Sequence, residues 1–240
     1  MTELPNEQRL LLAMDLTWAP AQIQTTGPWT FRAGKGGGKR VSAATCDVPV
    51  NEADILAAEK EMRRLNGSEI FMLRGENDQL DHMLDKRGYR VVDPVVLFAA
   101  DTECLAEFST DPHDAIPSSE PLAIMQEIWK QGGISQPRID VMRRTNSPKT
   151  YLFSRHKQTP SGVAFIAVEN NIAMLHALEV APDLRRYGVA RRLMGRAAIW
   201  AKNEGAEFLA VAVTSENLPA CRLYTSLGMQ VVGKYHYRMK

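Results

Sequence analysis

The stretch L-E-V-A-P-D-L-R-R-Y-G-V-A, Leu178 to Ala190, ends an apolar strand and opens an arginine-studded helix through a glycine turn. The first N–H groups of a helix lack internal partners and the helix dipole adds partial positive charge there, so anions settle at that end. Gly188 lets the chain approach a ligand closely or take up positive φ, and Ala190 leaves little side chain in the way. Arg185, Arg186, Arg191, Arg192 and Arg196 surround the turn with guanidinium forks that suit phosphate oxygens. The pattern predicts a polyanionic ligand held at the start of the helix.

The residues downstream strengthen that reading. Val189, Leu193, Ala197 and Trp200 recur at helical spacing, and Gly205 stands as a C-terminal stop. Phe208 to Val213, F-L-A-V-A-V, is a continuous apolar run of the length of a strand buried on both faces. Asn217 then opens N-L-P-A-C-R-L-Y-T-S-L-G-M as a good N-cap, with Pro219 tolerated in the first turn.

Arg185, Gly188 and Ala190 fill the signature of the GCN5-related N-acetyltransferases, Gln or Arg, two residues, Gly, one residue, Gly or Ala, and the chain resembles that family. Val180 and Pro182 match the V-x-P that commonly precedes the signature, and Asn217, Ala220, Leu223 and Tyr224 match the family's N-x-x-A-x-x-L-Y. The resemblance implies an α/β fold: a mixed, mostly antiparallel central sheet with flanking helices and a splayed parallel strand pair. It implies acetyl-coenzyme A as cosubstrate and no metal. The strand ending at Leu178, Glu179 and Val180 would offer backbone groups to the pantetheine arm. Arg185, Arg186, Tyr187, Gly188, Val189, Ala190 and Arg191 would bind the pyrophosphate, with Asn217 and Tyr224 completing the cofactor side.

Acetyl transfer needs an acceptor amine without its proton, a polarised thioester oxygen and a protonated leaving thiolate. An alkylamine with a pKa near 10 is overwhelmingly protonated at neutral pH, so a base or a route to solvent contributes to rate. Tyr224 resembles the family's phenol beside the sulfur, although Ala220, Leu223, Tyr224 and Leu227 also form an apolar helical stripe in which an aromatic is plain core. For the base, His176 and Glu179 lie on the expected strand Ile172 to Val180, and regular alternation puts them on opposite faces, so only one faces the acceptor unless the strand bulges. L-H-A-L-E-V resembles a stretch of the arylalkylamine acetyltransferases in which the His assists deprotonation. A buried structural His and proton loss through ordered water stay open beside it. The acceptor is expected to meet segments without signature: helix Leu122 to Lys130, R-R-T-N-S-P from Arg143, and the closing Tyr235, His236, Tyr237 and Arg238.

The chain of 240 residues suits one large or two small domains, and its 45 % hydrophobic content supports real cores. Net charge of +1 argues against a broad nucleic-acid surface. Cys46, Cys104 and Cys221 are odd in number and form no C-x-x-C pair, as expected of thiols in a reducing, cytoplasmic setting. No leader pattern and no membrane-spanning apolar run is evident, so no membrane partner is expected. Monomer and homodimer are both open.

Turn residues Asp111-Pro112, Pro117 and Ser118-Ser119 suggest a connection over 106–118 between units at 1–105 and 119–240. Sliding the chain by 140 positions places Asn77, Gly88, Val91 and Val92 over Asn217, Gly228, Val231 and Val232, Ile70–Leu73 over Ala210–Val213, and Glu76 over Glu216. The matched positions are cap, helix stop and strand, so the first unit reads as a degenerate copy of the same fold. Its helix from Glu52 to Leu65 stands in the place of the cofactor helix, but S-A-A-T-C-D-V-P-V-N, from Ser42, has neither Gly nor Arg before it, and Leu84 replaces Tyr224. A-G-K-G-G-G-K-R, Ala33 to Arg40, is not a Walker loop, since Ala33 and Arg40 stand where Gly and Ser or Thr are required. Flanked by W-T-F-R and R-V-S-A, it reads as a flexible hairpin loop between two strands. Two functions are open on the sequence: an N-acetyltransferase acting on a primary amine of a small molecule, peptide or protein, and a non-catalytic coenzyme A-binding sensor or scaffold.

Overall fold

A computed structural model describes residues 3–75, 77–109 and 111–240; Met1, Thr2, Thr110 and Glu76, with its proposed match to Glu216, lie outside the described residues. In chain order the elements are α1 (Glu7–Thr17), β1 (Gln22–Thr26), β2 (Trp29–Ala33), β3 (Thr45–Cys46), α2 (Glu52–Asn66), β4 (Ile70–Arg74), α3 (Asp78–Lys86), β5 (Arg90–Asp101) and α4 (Thr102–Ala106). They continue with β6 (Ile116–Ser118), α5 (Ala123–Gln131), α6 (Gln136–Arg144), β7 (Lys149–His156), β8 (Thr159–Glu169), β9 (Ile172–Val180), α7 (Val189–Asn203), β10 (Phe208–Thr214), α8 (Leu218–Ser226) and β11 (Gln230–Met239).

One 8-stranded sheet runs β4-β11-β5-β10-β9-β8-β7-β6, and a 3-stranded antiparallel sheet runs β1-β2-β3. Within the large sheet β9 and β10 are parallel and the other pairs antiparallel. The α/β class, flanking helices and parallel pair are those expected. The sequence does not disclose that strands of the two halves interleave: β11 lies between β4 and β5, and β5 lies between β10 and β11. The 140-residue offset recurs in the ladders. Tyr235 pairs with Arg74 and Thr214 with Val95, His236 with Leu73 and Val213 with Val96, each pair carrying the other's numbers after that shift. The segment 106–118 is more than a bare connection, since its end forms the edge strand β6 paired with β7.

Period-two alternation sends side chains of the central strands to two faces, each with its own core. Val163, Phe165, Ile172 and Met174 face the side covered by α1, α5 and α6. Ala164, Ile166, Ala173 and Leu175 face α7 and α8, where Leu193, Ala197 and Tyr224 pack. Gly162 on β8 sets the approach of α7, because a Cβ there would stand 2.9 Å from Val189 and Leu193. The start of α7 is thereby drawn against the ends of β8 and β9.

The C-terminal strand is fastened to the first half by charge. Arg238 donates to both oxygens of Asp81 at 2.8 Å and to Asp85 at 2.7 Å, and His236 Nε2 lies 2.8 Å from Asp81. The Arg238 hydrogen bonds hold the Asp81 carboxyl down at about 2, from an ordinary 3.8. A lowered carboxylate stabilises the fold above its unfolded pKa, and that contribution is lost as pH falls through the folded value. Asp81→Asn is therefore expected to cost about 1–2 kcal/mol at pH 7, allowing for partial solvent screening. In urea titrations the gap between wild type and variant should close as pH falls from about 5 toward 2; a gap unchanged over that range would refute the ion-pair account.

Candidate active site

The turn Arg185–Gly188 stands open at the surface, with Arg185, Arg186, Tyr187 and Gly188 all exposed. Gly188 has φ 75°, in the left-handed region, and is the N-cap of α7 with no side chain capping it. By contrast α1 and α8 are capped by Asn6 and Asn217. At α2, Asn51 accepts from the amides of Ala53 and Asp54, while Asp54 accepts from Asn51 N–H in a full capping box. The two helices that align under the 140-residue shift thus differ in the property that matters for anions: α2 has acidic side chains over its amides, and α7 has bare amides with arginines around them. Arg191 lies 4.9 Å above Phe108, and Arg192 is held by Asp114 at 3.2 Å and by Tyr187 O at 3.0 Å, leaving Arg185 and Arg186 as the outward charges.

β9 links this turn to a pocket. Its ladder with β10 ends at Val211↔Leu175, so from His176 onward the edge of β9 that faces β10 is unpaired and the parallel strands splay. Just past that point β9 bulges: Phe165 pairs with His176 but Val163 pairs with Glu179, so three steps on β9 match two on β8. Ala177 takes φ 51° there, an unfavourable value for a residue with a Cβ. Trp129 Nε1 donates to Ala177 O at 2.8 Å and holds the bulge. Val163 and Phe165 lie on one face of β8, so His176 and Glu179, their partners, do too. The alternation expected from the sequence is corrected by that extra residue: the two candidate bases share one face of the sheet.

They do not share a state. Thr17 Oγ1 donates its single proton to Ala13 O at 2.7 Å, so at its 2.9 Å contact with His176 Nε2 it accepts. Nε2 therefore carries the ring proton, and Nδ1 accepts from Arg40 at 3.3 Å. Burial first, and the Arg40 charge second, hold the imidazole well below its ordinary pKa, so it is neutral with both nitrogens occupied. Glu179 is half-buried, and burial raises its carboxyl above the usual range against the opposing pull of Arg185 and Arg138. It packs so closely on the end of α5 that a Cβ at Gly132 would stand 2.5 Å from Glu179 Cδ.

The pocket between the splayed strands has a volume of about 200 Å³. Trp18, His176, Arg138, Arg40, Tyr235 and Tyr237 are among its walls. Of the four closing residues named from sequence, Tyr235 and Tyr237 line it, whereas His236 and Arg238 face the opposite way, toward Asp81. The Arg143 stretch braces α1 from behind, with Arg144 and Thr145 donating to Ala19 O and Thr17 O. Sequence reasoning missed Trp18, Lys39, Arg40, Asp93 and Arg138, which no spacing singles out. It also misread A-G-K-G-G-G-K-R. Lys39–Val41 is a 3-10 turn and not a strand, and Gly37 is buried because a Cβ there would meet Val141 at 2.5 Å. The loop is a packed wall of the pocket.

Of the residues expected from the sequence to meet the cofactor, Leu178 and Val180 pack partly buried against the α7 core. Val189 is buried and Ala190 half-buried at the first turn of α7. Asn217 Oδ1 accepts from Ala220 N at 3.2 Å, so that side chain starts α8 and sets the position of Tyr224. Tyr224 is buried, with its ring 5.7 Å from Phe98, and burial raises its phenol pKa so that it keeps its proton at neutral pH. The Glu179 charge reaches it. Among the described residues, no helix is long and apolar enough to cross a membrane, and no group of three or more His, Cys, Asp or Glu side chains could hold a metal ion.

Comparisons with known proteins agree with this fold. The acetyltransferase (GNAT) family model matches residues 118–229. Over the full length of both chains, this one is 26 % identical to an uncharacterized N-acetyltransferase, YobR, of Bacillus subtilis. A GCN5-related N-acetyltransferase from Kribbella flavida superposes with TM-score 0.74 at 17 % identity, covering 99 % of this chain and 96 % of that one. A tandem GNAT protein from the clavulanic acid biosynthesis pathway gives TM-score 0.63 at 12 % identity, covering 94 % and 85 %. Residues 118–229 thus match the acetyltransferase (GNAT) family, and that match together with the N-acetyltransferase relative supports acyltransferase activity dependent on acetyl-coenzyme A.

Proposed function

We propose that the protein acetylates a primary amine by direct attack, with acetyl-coenzyme A on the α7 side of the splayed strands and the acceptor in the pocket on the other side. The observation that carries this reading is the continuity of β9: one unpaired edge runs from the pocket beside His176 to the uncapped start of α7. The bare amides of Val189, Ala190 and Arg191, with Arg185 and Arg186 outward, suit a pyrophosphate, and the free edge over Leu178–Val180 suits the amide groups of a pantetheine arm. The thioester supplies the activated acetyl group. Tyr224, buried and protonated, donates a hydrogen bond to the departing sulfur. His176 is a positioning residue, because its acceptor nitrogen is already taken by Arg40.

Proton removal then falls to Glu179. A carboxylate whose pKa is raised is a better base than an ordinary one, and it works only when ionised, so activity falls as pH drops through that raised value. With Glu179→Gln, kcat/KM is expected to fall about 10²-fold, and its acid limb to move up toward the pKa of the free amine, about 10. An unchanged limb, measured by release of coenzyme A as free thiol, would remove Glu179 from this role.

The first half serves here as scaffold and wall. We read it as a diverged copy, over about 1–105, whose last strand is exchanged with that of the second unit, and whose Trp18, Lys39 and Arg40 face the acceptor. A cytoplasmic setting fits the three free cysteines, and a monomer completes the site without help from a second copy. A screen of amines and peptides for thiol release tests the whole reading. Tight acetyl-coenzyme A binding without turnover of any acceptor would favour a sensor.

A further inference from the structure

The acceptor pocket carries more positive charge than its own side chains neutralise. Lys39 is paired with Asp93 at 2.9 Å. Arg40 and Arg138 also line the pocket, and neither has a carboxylate within ion-pair distance among the described residues. Arg40 is the more telling. One of its nitrogens donates to a neutral imidazole, its Nε is buried without a hydrogen-bond partner, and beside its guanidinium the Tyr235 hydroxyl is buried without a well-formed one. Buried charges and buried donors are costly unless a counter-charge or acceptor meets them. Both side chains are in the wall of the same small pocket, with those two atoms turned into the wall and not toward the opening. Arg138 stands across it, with its guanidinium against Gly38.

We infer that the acceptor carries a carboxylate as well as its amine, and that the guanidinium groups of Arg40 and Arg138 receive that carboxylate. A pocket of about 200 Å³ is below the size usual for drug-sized ligands, which fits a free amino acid better than a folded partner. A guanidinium donates two parallel N–H bonds to a carboxylate. The amine of such a molecule turns from Arg40 toward the wall formed by His176 and Ala177, on the side of the β9 bulge. A polyamine meets like charge instead. This inference rests on the pocket being the acceptor site.

The test uses the full chain saturated with coenzyme A, titrated calorimetrically with the standard L-amino acids, with the amides of the same amino acids, with dipeptides ending in the best of them, and with spermidine. Free acids are expected to bind at least about tenfold more tightly than their amides, the worth of one charged hydrogen bond. Arg138→Gln, an exposed position that leaves the core intact, should shrink that ratio about fivefold or more, and Arg138→Lys should restore part of it. Dipeptides binding as well as the free acid would retain the carboxylate but assign it to a peptide terminus. Amides or spermidine binding as tightly as the acids, or no acid binding at millimolar concentration, overturns the inference. Thiol release is read in parallel: amides acetylated as fast as acids sink the inference while the transferase reading stands, whereas the predicted binding ratio without any turnover keeps the pocket as a carboxylate site but sinks the transferase reading.

Discussion

Replacing Gly188 with Glu is expected to weaken acetyl-coenzyme A binding at least a hundredfold while the protein stays folded. The new carboxylate would stand over the bare amides of Val189, Ala190 and Arg191, where the cosubstrate's pyrophosphate is proposed to lie, so attraction becomes repulsion at close range. Folding is affected less. A Cβ at Gly188 would approach Arg192 Nη1 to 3.1 Å, the far end of a flexible side chain, and the position is exposed. The φ of 75° costs a non-glycine residue about 1–2 kcal/mol, within the reserve of an ordinary domain. Gly188→Asn separates the two effects, because Asn tolerates the left-handed region and adds no charge. Calorimetric titration should show Asn far closer to wild type than Glu. A Glu variant that binds acetyl-coenzyme A within threefold of wild type would move the pyrophosphate elsewhere.

Why this turn was legible in sequence and the pocket beside His176 was not comes down to the range of the interactions that make each. Gly188, the arginines around it and the stripe Val189, Leu193, Ala197 lie within one helix, so local pattern and local structure coincide. The strands β9 and β10 were legible as apolar runs for the same reason. The β9 bulge was not. Ala177 is an ordinary residue in an ordinary alternation, and the group that holds it in the left-handed region, Trp129 Nε1, comes from a helix 48 residues earlier. Without the bulge, Glu179 would face away from His176, and the sequence has no means of announcing otherwise.

The glycine loop failed in the opposite sense. Gly34, Gly36, Gly37 and Gly38 read as freedom, whereas Gly37 is there because Val41 and Val141 leave no room for a side chain. Composition cannot tell a glycine chosen for its torsions from one chosen for its size when the packing partner is about a hundred residues away. The exchanged strands show a third limit. The 140-residue repeat was visible, and β4, β5, β10 and β11 could each be read as strands. Which neighbour each one joins is decided by the whole sheet, and Val95 opposite Tyr235 is as good a local pairing as one within a single half. Tyr235 and Tyr237 were half legible: their alternation with His236 and Arg238 is the period of a strand, but Asp81 and Asp85 decide which face turns outward.

Tyr224→Phe is expected to lower kcat about 10²-fold and to leave acetyl-coenzyme A affinity within about twofold, the pattern of a group that acts in the transition state and not in binding. The substitution removes one oxygen and keeps the ring, so the contact with Phe98 and the packing of α8 survive, and the loss of stability should stay below about 1 kcal/mol. Burial raises the pKa of the phenol, so it keeps its proton at neutral pH and is a hydrogen-bond donor there. The departing thiolate of coenzyme A is the acceptor proposed for it. Because a free phenol is a weaker acid than a thiol by about 1.5 units, donation stabilises the thiolate without full transfer of the proton. The defect should therefore depend on the leaving group: a more acidic thiol, as in an acetyl thioester of an aromatic thiol, needs less help, and the variant should lose less with it. An equal kcat for Tyr and Phe at position 224 would make this side chain part of the core that packs α8, as the helical stripe through Ala220, Leu223 and Leu227 also allows.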